Sequence, residues 1–276
     1  MNNKIKTSIV ALGVTALLSS VNANACDCKH KKEHTGFYIG VEGGLSAPIP
    51  NTFKKKMDFS GQKVTIEGKL SNSAMYGALL GYKFYPGMAA EFSYQHKPNY
   101  KLNITIPDIN FPGKGFTAPY EALNGAPMTA KKNSAKVKVT SDLYLLGLVY
   151  DLAEVKGFTP YVGVELGVAN IKAKSQTFYS DIALQANGAV ISPHTEVMRI
   201  KKSNSIRPAF QLSVGATKEN IIKNVNLYAA ARVQLIMEAK LKYDLIERGA
   251  VSSSGKLKQS LLISEVVMGL TYNLPF

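Results

Sequence analysis

Residues 262–276 read LISEVVMGLTYNLPF. Every second residue back from the end, Phe276, Leu274, Tyr272, Leu270, Met268 and Val266, is apolar or aromatic. The residues between them, Asn273, Thr271, Gly269, Val267 and Glu265, are mostly small or polar. A period of two sends successive side chains to opposite faces of a β-strand, so one face of this strand is apolar and the other is not. A strand of a soluble sandwich alternates as well, but it rarely ends its chain on an unmasked Phe. In a membrane barrel the apolar face meets lipid and the aromatic residues at its end sit at the interface.

The same alternation recurs upstream. Residues 36–48 place Phe37, Ile39, Val41 and Leu45 on one face, and residues 73–85 place Tyr76, Ala78, Leu80, Tyr82 and Phe84 there. Pro86-Gly87 marks a tight turn into a third strand, 88–102, with Ala90, Phe92 and Tyr94 on one face and Glu91, Ser93 and Gln95 on the other. A fourth, 135–152, carries Tyr144, Leu146, Leu148 and Tyr150 outward, and a fifth, 159–174, carries Val162, Val164, Leu166 and Val168. The sixth and seventh, 207–217 and 225–243, present Phe210, Leu212, Val214 and Ala216, then Leu227, Ala229, Ala231, Val233 and Leu235. With the terminal strand this makes eight, an even number, as closure with both termini on one side requires. The connections sort by parity. Those after the second, fourth and sixth strands are short, whereas 49–72, 103–134, 175–206 and 244–257 are long. Short turns at one end and long loops at the other are the layout of a transmembrane barrel, and a sandwich has no reason to adopt it. Pro107, Pro112, Gly113, Gly115 and Pro119 predict an irregular, mobile second loop.

Residues 1–25 read as a secretory signal: Lys4 and Lys6, an apolar stretch over 9–18, then Ala23-Asn24-Ala25 as a small-x-small cleavage site. No later run of ~18 apolar residues could form a membrane helix. An exported chain without such a helix is periplasmic or spans the membrane as a barrel. Loss of the signal removes two lysines and no acids, which takes the net charge from +14 to +12. For an exported protein, lipid phosphates or surface polysaccharides are the expected polyanionic partners, rather than nucleic acid. Residues 26–35 form a basic tail, CDCKHKKEHT, that holds both cysteines. Three readings stand open for it: lipidation of Cys26, a soft metal held by Cys26, Cys28, His30 and His34, or a solvated periplasmic tail with free or oxidised thiols. The spacing fits no standard zinc motif, so the solvated tail is preferred, with no metal, no cofactor and no disulfide framework.

From Gly36 to Phe276 the pattern and the terminal strand resemble the small eight-stranded outer-membrane β-barrel family, which includes the OmpA transmembrane domain, opacity-type adhesins, OmpW-like barrels and surface antigens of intracellular bacteria. The resemblance implies the outer membrane of a Gram-negative bacterium, with both termini periplasmic and the four long loops extracellular. Met268, Leu270, Tyr272, Leu274 and Phe276 would then address the barrel-assembly machinery.

By alternation Glu42, Glu91, Glu165, Arg232, Glu238 and Glu265 point into the lumen, with Lys83 beside them. An eight-stranded barrel is just wide enough for its own side chains, and isolated charges there are costly, so these groups are expected to pair as a plug. The OmpA-like resemblance implies that such pairs could also exchange as a gate. The loops supply Lys54, Lys55, Lys56, Lys131, Lys132, Arg199, Lys201 and Lys202 as candidate contacts for polyanions. Outside the tail the only histidines are His96 and His194. His96 is at the top of the third strand, and His194 lies near Ser192 and Glu196 in the third long loop, a grouping of polar residues that loops readily give by coincidence, so no enzyme is expected. The functional expectation is a surface-exposed outer-membrane protein with a structural, antigenic or adhesive role exerted through its basic loops. The OmpW-like resemblance implies an alternative, a small passage for apolar or small polar solutes. Purified in detergent, the mature protein should shift in gel mobility between unheated and boiled samples and give β-rich circular dichroism. A detergent-independent soluble monomer without the shift would exclude the barrel.

Overall fold

The computed structural model describes residues 35–49, 52–59, 62–112, 125–184, 190–247 and 250–275. The expected signal, the cysteine-bearing tail, Gly113, Gly115, Pro119 and Phe276 lie outside the described residues. Fourteen strands run through the described part: β1 (Gly36–Pro48), β2 (Thr52–Phe59), β3 (Gln62–Leu70), β4 (Ser73–Tyr85), β5 (Met88–Ile106), β6 (Ile109–Pro112), β7 (Pro127–Ala130), β8 (Asn133–Asp151), β9 (Thr159–Ala173), β10 (Gln176–Leu184), β11 (Val190–Ile200), β12 (Ser203–Ile222), β13 (Val225–Glu247) and β14 (Ala250–Asn273).

Eight of them close a ring. β1 pairs with β4, β4 with β5, β5 with β8, β8 with β9, β9 with β12, β12 with β13 and β13 with β14, and β14 returns to β1, all antiparallel. Tight turns join neighbours at one end. Pro86-Gly87 uses Gly at φ 74° and Lys223-Asn224 uses Asn at φ 64°, the residues that tolerate the left-handed region. Outside the ring, Leu45, Leu146, Leu166 and Val266 are each more than 60 % exposed. So large an apolar surface is stable against lipid and not against water. The band runs from residue 74 to 84 on β4 and from 262 to 272 on β14, about the 9–11 residues that a tilted strand needs to cross a bilayer. Aromatic contacts flank it: Phe37–Tyr82, with ring centroids 4.7 Å apart, at the turn end, and Tyr94–Tyr144, 5.2 Å apart, at the other. The ring is a transmembrane barrel.

Inside the turn end, the buried rings of Tyr38, Tyr161 and Tyr228 each lie directly across from a glycine of the neighbouring strand: Gly81, Gly215 and Gly269. A Cβ on Gly269 would come within 2.6 Å of the Tyr228 ring, and one on Gly215 within 2.6 Å of Tyr161. The glycines leave a flat strip of wall on which the rings rest.

Away from the tight turns, the long connections form strands of their own, because their alternating apolar residues have a core to fill. The β2–β3 hairpin adds to β5 through Glu67–Thr105 to Leu70–Leu102. β6, β7, β10 and β11 extend the sheet from β13. Their inward residues, among them Ile66, Leu102, Ile104, Met128, Phe178 and Met198, form one buried apolar cluster. The second long connection, expected to be irregular, is mostly strand in its described parts: the end of β5, β6, β7 and the start of β8. The barrel therefore reverses its polarity along its axis. Through the membrane it is apolar outside and polar inside, and beyond the membrane it is apolar inside with lysines outside. Two β-bulges mark the change, on β5 between Lys97 and Tyr100 and on β13 between Ile236 and Ala239. Each extra residue flips the parity of the strand after it.

Gly269→Val should overpack Tyr228 and cost about 1–3 kcal/mol, read as a lower urea midpoint for loss of the heat-modifiable band. The same substitution at Gly125, where an added Cβ meets nothing within 4 Å, is the control for the barrel wall, although its φ of 86° adds local strain.

Candidate functional site

The lumen fills with polar side chains layer by layer. At the turn end Lys83 Nζ donates to Asp151 Oδ2 at 3.2 Å. Further in, Arg232 meets Glu42 as a bidentate pair, Nη1–Oε1 2.7 Å and Nη2–Oε2 2.6 Å, and Tyr228 Oη donates to the same carboxylate at 2.7 Å. Glu91 accepts from Tyr38 Oη at 2.9 Å. Glu165 accepts from Ser93 Oγ at 2.9 Å and from Gln211. The next layer centres on Lys97, which is fully buried. Its Nζ lies 2.8 Å from Glu265 Oε1 and also donates to Gln234. Gln234 in turn donates to Glu265 at 2.9 Å and to Gln95 at 2.6 Å. Above it Ser46 and Tyr100 share a hydrogen bond, and Leu143, Ile236 and Ile263 begin the apolar core.

Five of the six expected lumen residues thus lie together: Glu42, Glu91, Glu165, Arg232 and Glu265. Glu238 does not. It sits at the β13 bulge with φ 44° and is exposed, because the inserted residue ends the alternation that pointed it inward. The pairing is also less complete than expected. Among the described residues, Glu42 and Glu265 have cationic partners, while Glu91 and Glu165 are held by hydroxyl and amide donors. Lys97 was missed, although the face of Glu91, Ser93 and Gln95 leads to it two residues on. A cavity of about 60 Å³ lies among the layers on the turn side of Lys97, lined by Tyr38, Glu91, Tyr161, Glu165, Tyr228 and Arg232 among others.

On the outer rim, Lys54 pairs with Glu67 at 2.6 Å, Arg199 with Glu196 at 2.8 Å, and Lys201 with Asp244 at 2.9 Å. The Lys54 ammonium holds the Glu67 carboxyl below its usual range, and the Ser254 hydroxyl with Lys201 does the same for Asp244. Lys55, Lys56, Lys131, Lys132 and Lys202 are exposed and have no ion-pair partner among the described residues. Sequence reasoning missed a second set on the strands themselves. Lys101 stands directly opposite Lys138, Lys240 opposite Lys258, and Lys242 opposite Lys256. Their signal was the alternation Lys240-Leu241-Lys242-Tyr243, whose parity makes sense only after a bulge. His96 Nδ1 lies 2.5 Å from Asp142, which also takes Lys172 at 2.9 Å. Met268, Leu270 and Tyr272 of the terminal strand face outward.

The closed ring and its lipid-facing band define a small transmembrane β-barrel of the outer-membrane type. No family model matches the chain. The uncharacterized protein RP788 of Rickettsia prowazekii (strain Madrid E) is 26% identical over 204 residues, which are 73% of this chain and 100% of that protein. Among solved structures, the outer membrane protein OprG of Pseudomonas aeruginosa superposes with a TM-score of 0.45 at 15% identity, covering 87% of this chain and 98% of that one. Neisserial surface protein A (NspA) does so with a TM-score of 0.43 at 12% identity, covering 87% and 98%.

Glu42→Gln alone strands the Arg232 guanidinium and should cost about 3–5 kcal/mol in resistance to urea, whereas Glu42→Gln with Arg232→Met should recover most of it. A loss in the double variant as large as the sum of the Glu42→Gln and Arg232→Met losses would show that the pair contributes no coupling.

Proposed function

We propose that this protein is displayed at the bacterial surface, with the long-strand end outside the cell and both termini periplasmic, and that this end binds anionic polymers in an adhesive role. The observation that carries the reading is the set of facing lysines, Lys101–Lys138, Lys240–Lys258 and Lys242–Lys256. Like charges directly opposite on a sheet cost stability unless an anion lies across them.

The charge distribution supports it. Residues 49–72, 98–140, 171–206 and 237–261 hold 21 Lys and Arg against 9 Asp and Glu, a balance of +12. After residue 25 the rest of the chain holds 10 of each and is neutral. The whole net charge of the mature chain therefore lies on the rim strands and loops, where it attracts polyanions over a distance set by salt. A passage for small solutes has less support, since the Gln–Lys–Glu layer and the apolar core fill the lumen above its cavity. The terminal strand serves this reading as the segment that addresses the assembly machinery.

Folded protein should be retained on immobilised heparin, used here as a model sulfated polymer. Replacing Lys101, Lys138, Lys242 and Lys256 by Gln should lower the eluting salt concentration and flatten the dependence of affinity on salt. Elution unchanged from the parent protein would refute the role of the facing lysines.

A further inference from the structure

Among the described residues the wall lacks strand pairing on one side above the membrane. β1 and β14 pair from Tyr38–Asn273 to Pro48–Ile263, and Ile49 N still donates to Leu262 O at 2.6 Å. Beyond that point they part. β14 continues to Ala250 paired with β13, and β2 pairs with β3. Among the described residues no backbone hydrogen bond joins the free edge of β2 to that of upper β14. On the other flank the wall is stitched, with Lys131 N donating to Asp181 O and Lys174 N to Lys138 O, both at 3.0 Å.

Behind the seam is a cavity of about 80 Å³. Leu70, Leu102, Val139, Ile171, Leu241 and Leu257 form its walls. A water molecule needs roughly 10–15 Å³ and two or more polar partners, so the space suits a narrow apolar guest far better than a water chain. Its mouth is cationic, with Lys54 and Lys55 on β2 facing Lys240 on β13 and Lys258 on β14. Lys54 is engaged with Glu67. The mouth also sits at the edge of the lipid-facing band, whose last exposed apolar residues on these strands are Met237 and Leu262. Lysines just past that edge lie at the height of lipid headgroups.

We propose that the seam between β2 and β14 binds one long-chain fatty acid carboxylate, its chain in the apolar cavity and its head on Lys55, Lys240 and Lys258. The narrow space admits one alkyl chain and excludes a multi-chain lipid. These three lysines, without an ion-pair partner among the described residues, select an anionic head over a neutral one.

The test uses the full mature protein in lipid nanodiscs and a dodecanoate carrying a diazirine at its tail. The label is expected on the inner wall of the cavity, at Leu70, Leu102, Val139 and Ile171, and dodecanoate should compete it away while dodecanol does not. Ala239→Trp, which fills the cavity and leaves every lysine in place, should lower labelling about tenfold. Lys240→Gln with Lys258→Gln should weaken competition by dodecanoate toward that of dodecanol. Each variant is first shown to keep its shift between unheated and boiled samples, so loss of labelling cannot come from misfolding. Labelling spread over the lipid-facing band, or unchanged by Ala239→Trp, would overturn the site. Equal competition by the alcohol and the acid would overturn the role of the lysines.

Discussion

Lipid offers no hydrogen bonds, and that one deficit governs this molecule. A strand edge left open in hydrocarbon would strand a row of N–H and C=O groups at several kcal/mol each. The pairing of the first strand with the last removes that edge, and it holds register from Tyr38–Asn273 to Pro48–Ile263 without a bulge. It stops where the lipid-facing band stops. Above that level water or side chains can satisfy an edge, and there the chain lets β1 and β14 diverge. The seam is thus a consequence of where the solvent changes.

The same boundary explains the two kinds of interior. Within the membrane the outer face is already apolar, so hydrophobic burial gives no reason for an apolar lumen, and hydrogen-bonded polar layers can occupy it. Arg232 is tolerable there because the Glu42 carboxylate holds it through two hydrogen bonds, and Lys97 because Glu265 and Gln234 both accept from it. Beyond the membrane water returns to the outside, and the ordinary logic of a soluble sheet resumes, with leucine and isoleucine within and lysine without. The bulges on β5 and β13 are the hinges of that exchange.

Most of the fold was legible because alternation is a property of backbone geometry alone. The ranges 36–48 and 73–85 match β1 and β4 to the residue. The ranges 135–152 and 159–174 fall within two residues of β8 and β9. β14 was read too short, since its buried apolar residues above the boundary, Leu257 and Ile263, lie on the opposite face from Val266, Met268 and Leu270 and the pattern looks broken there. Glu238 illustrates the failure at one residue, because an unbroken period of two carried it inward past a bulge that the pattern alone did not reveal. Lys97 illustrates the reverse, a lysine inside the expected strand 88–102 that continues the face of Glu91, Ser93 and Gln95 and was still left out of the lumen set. Which acids find a cation was not legible at all. It depends on the stagger between strands, which brings Arg232 across the barrel to Glu42 and leaves Glu165 beside Ser93 and Gln211.

The parity reset at the bulges also separates two evolutionary problems. Below them a substitution is judged by lipid on one side and a crowded polar stack on the other; above them it is judged by a soluble core and an aqueous exterior. On β5 and β13, where the bulges lie, each half keeps its own phase, so a change of length in the exposed hairpins need not propagate into the phase of those two membrane strands. The half beyond the membrane can then vary while the membrane half keeps its closure.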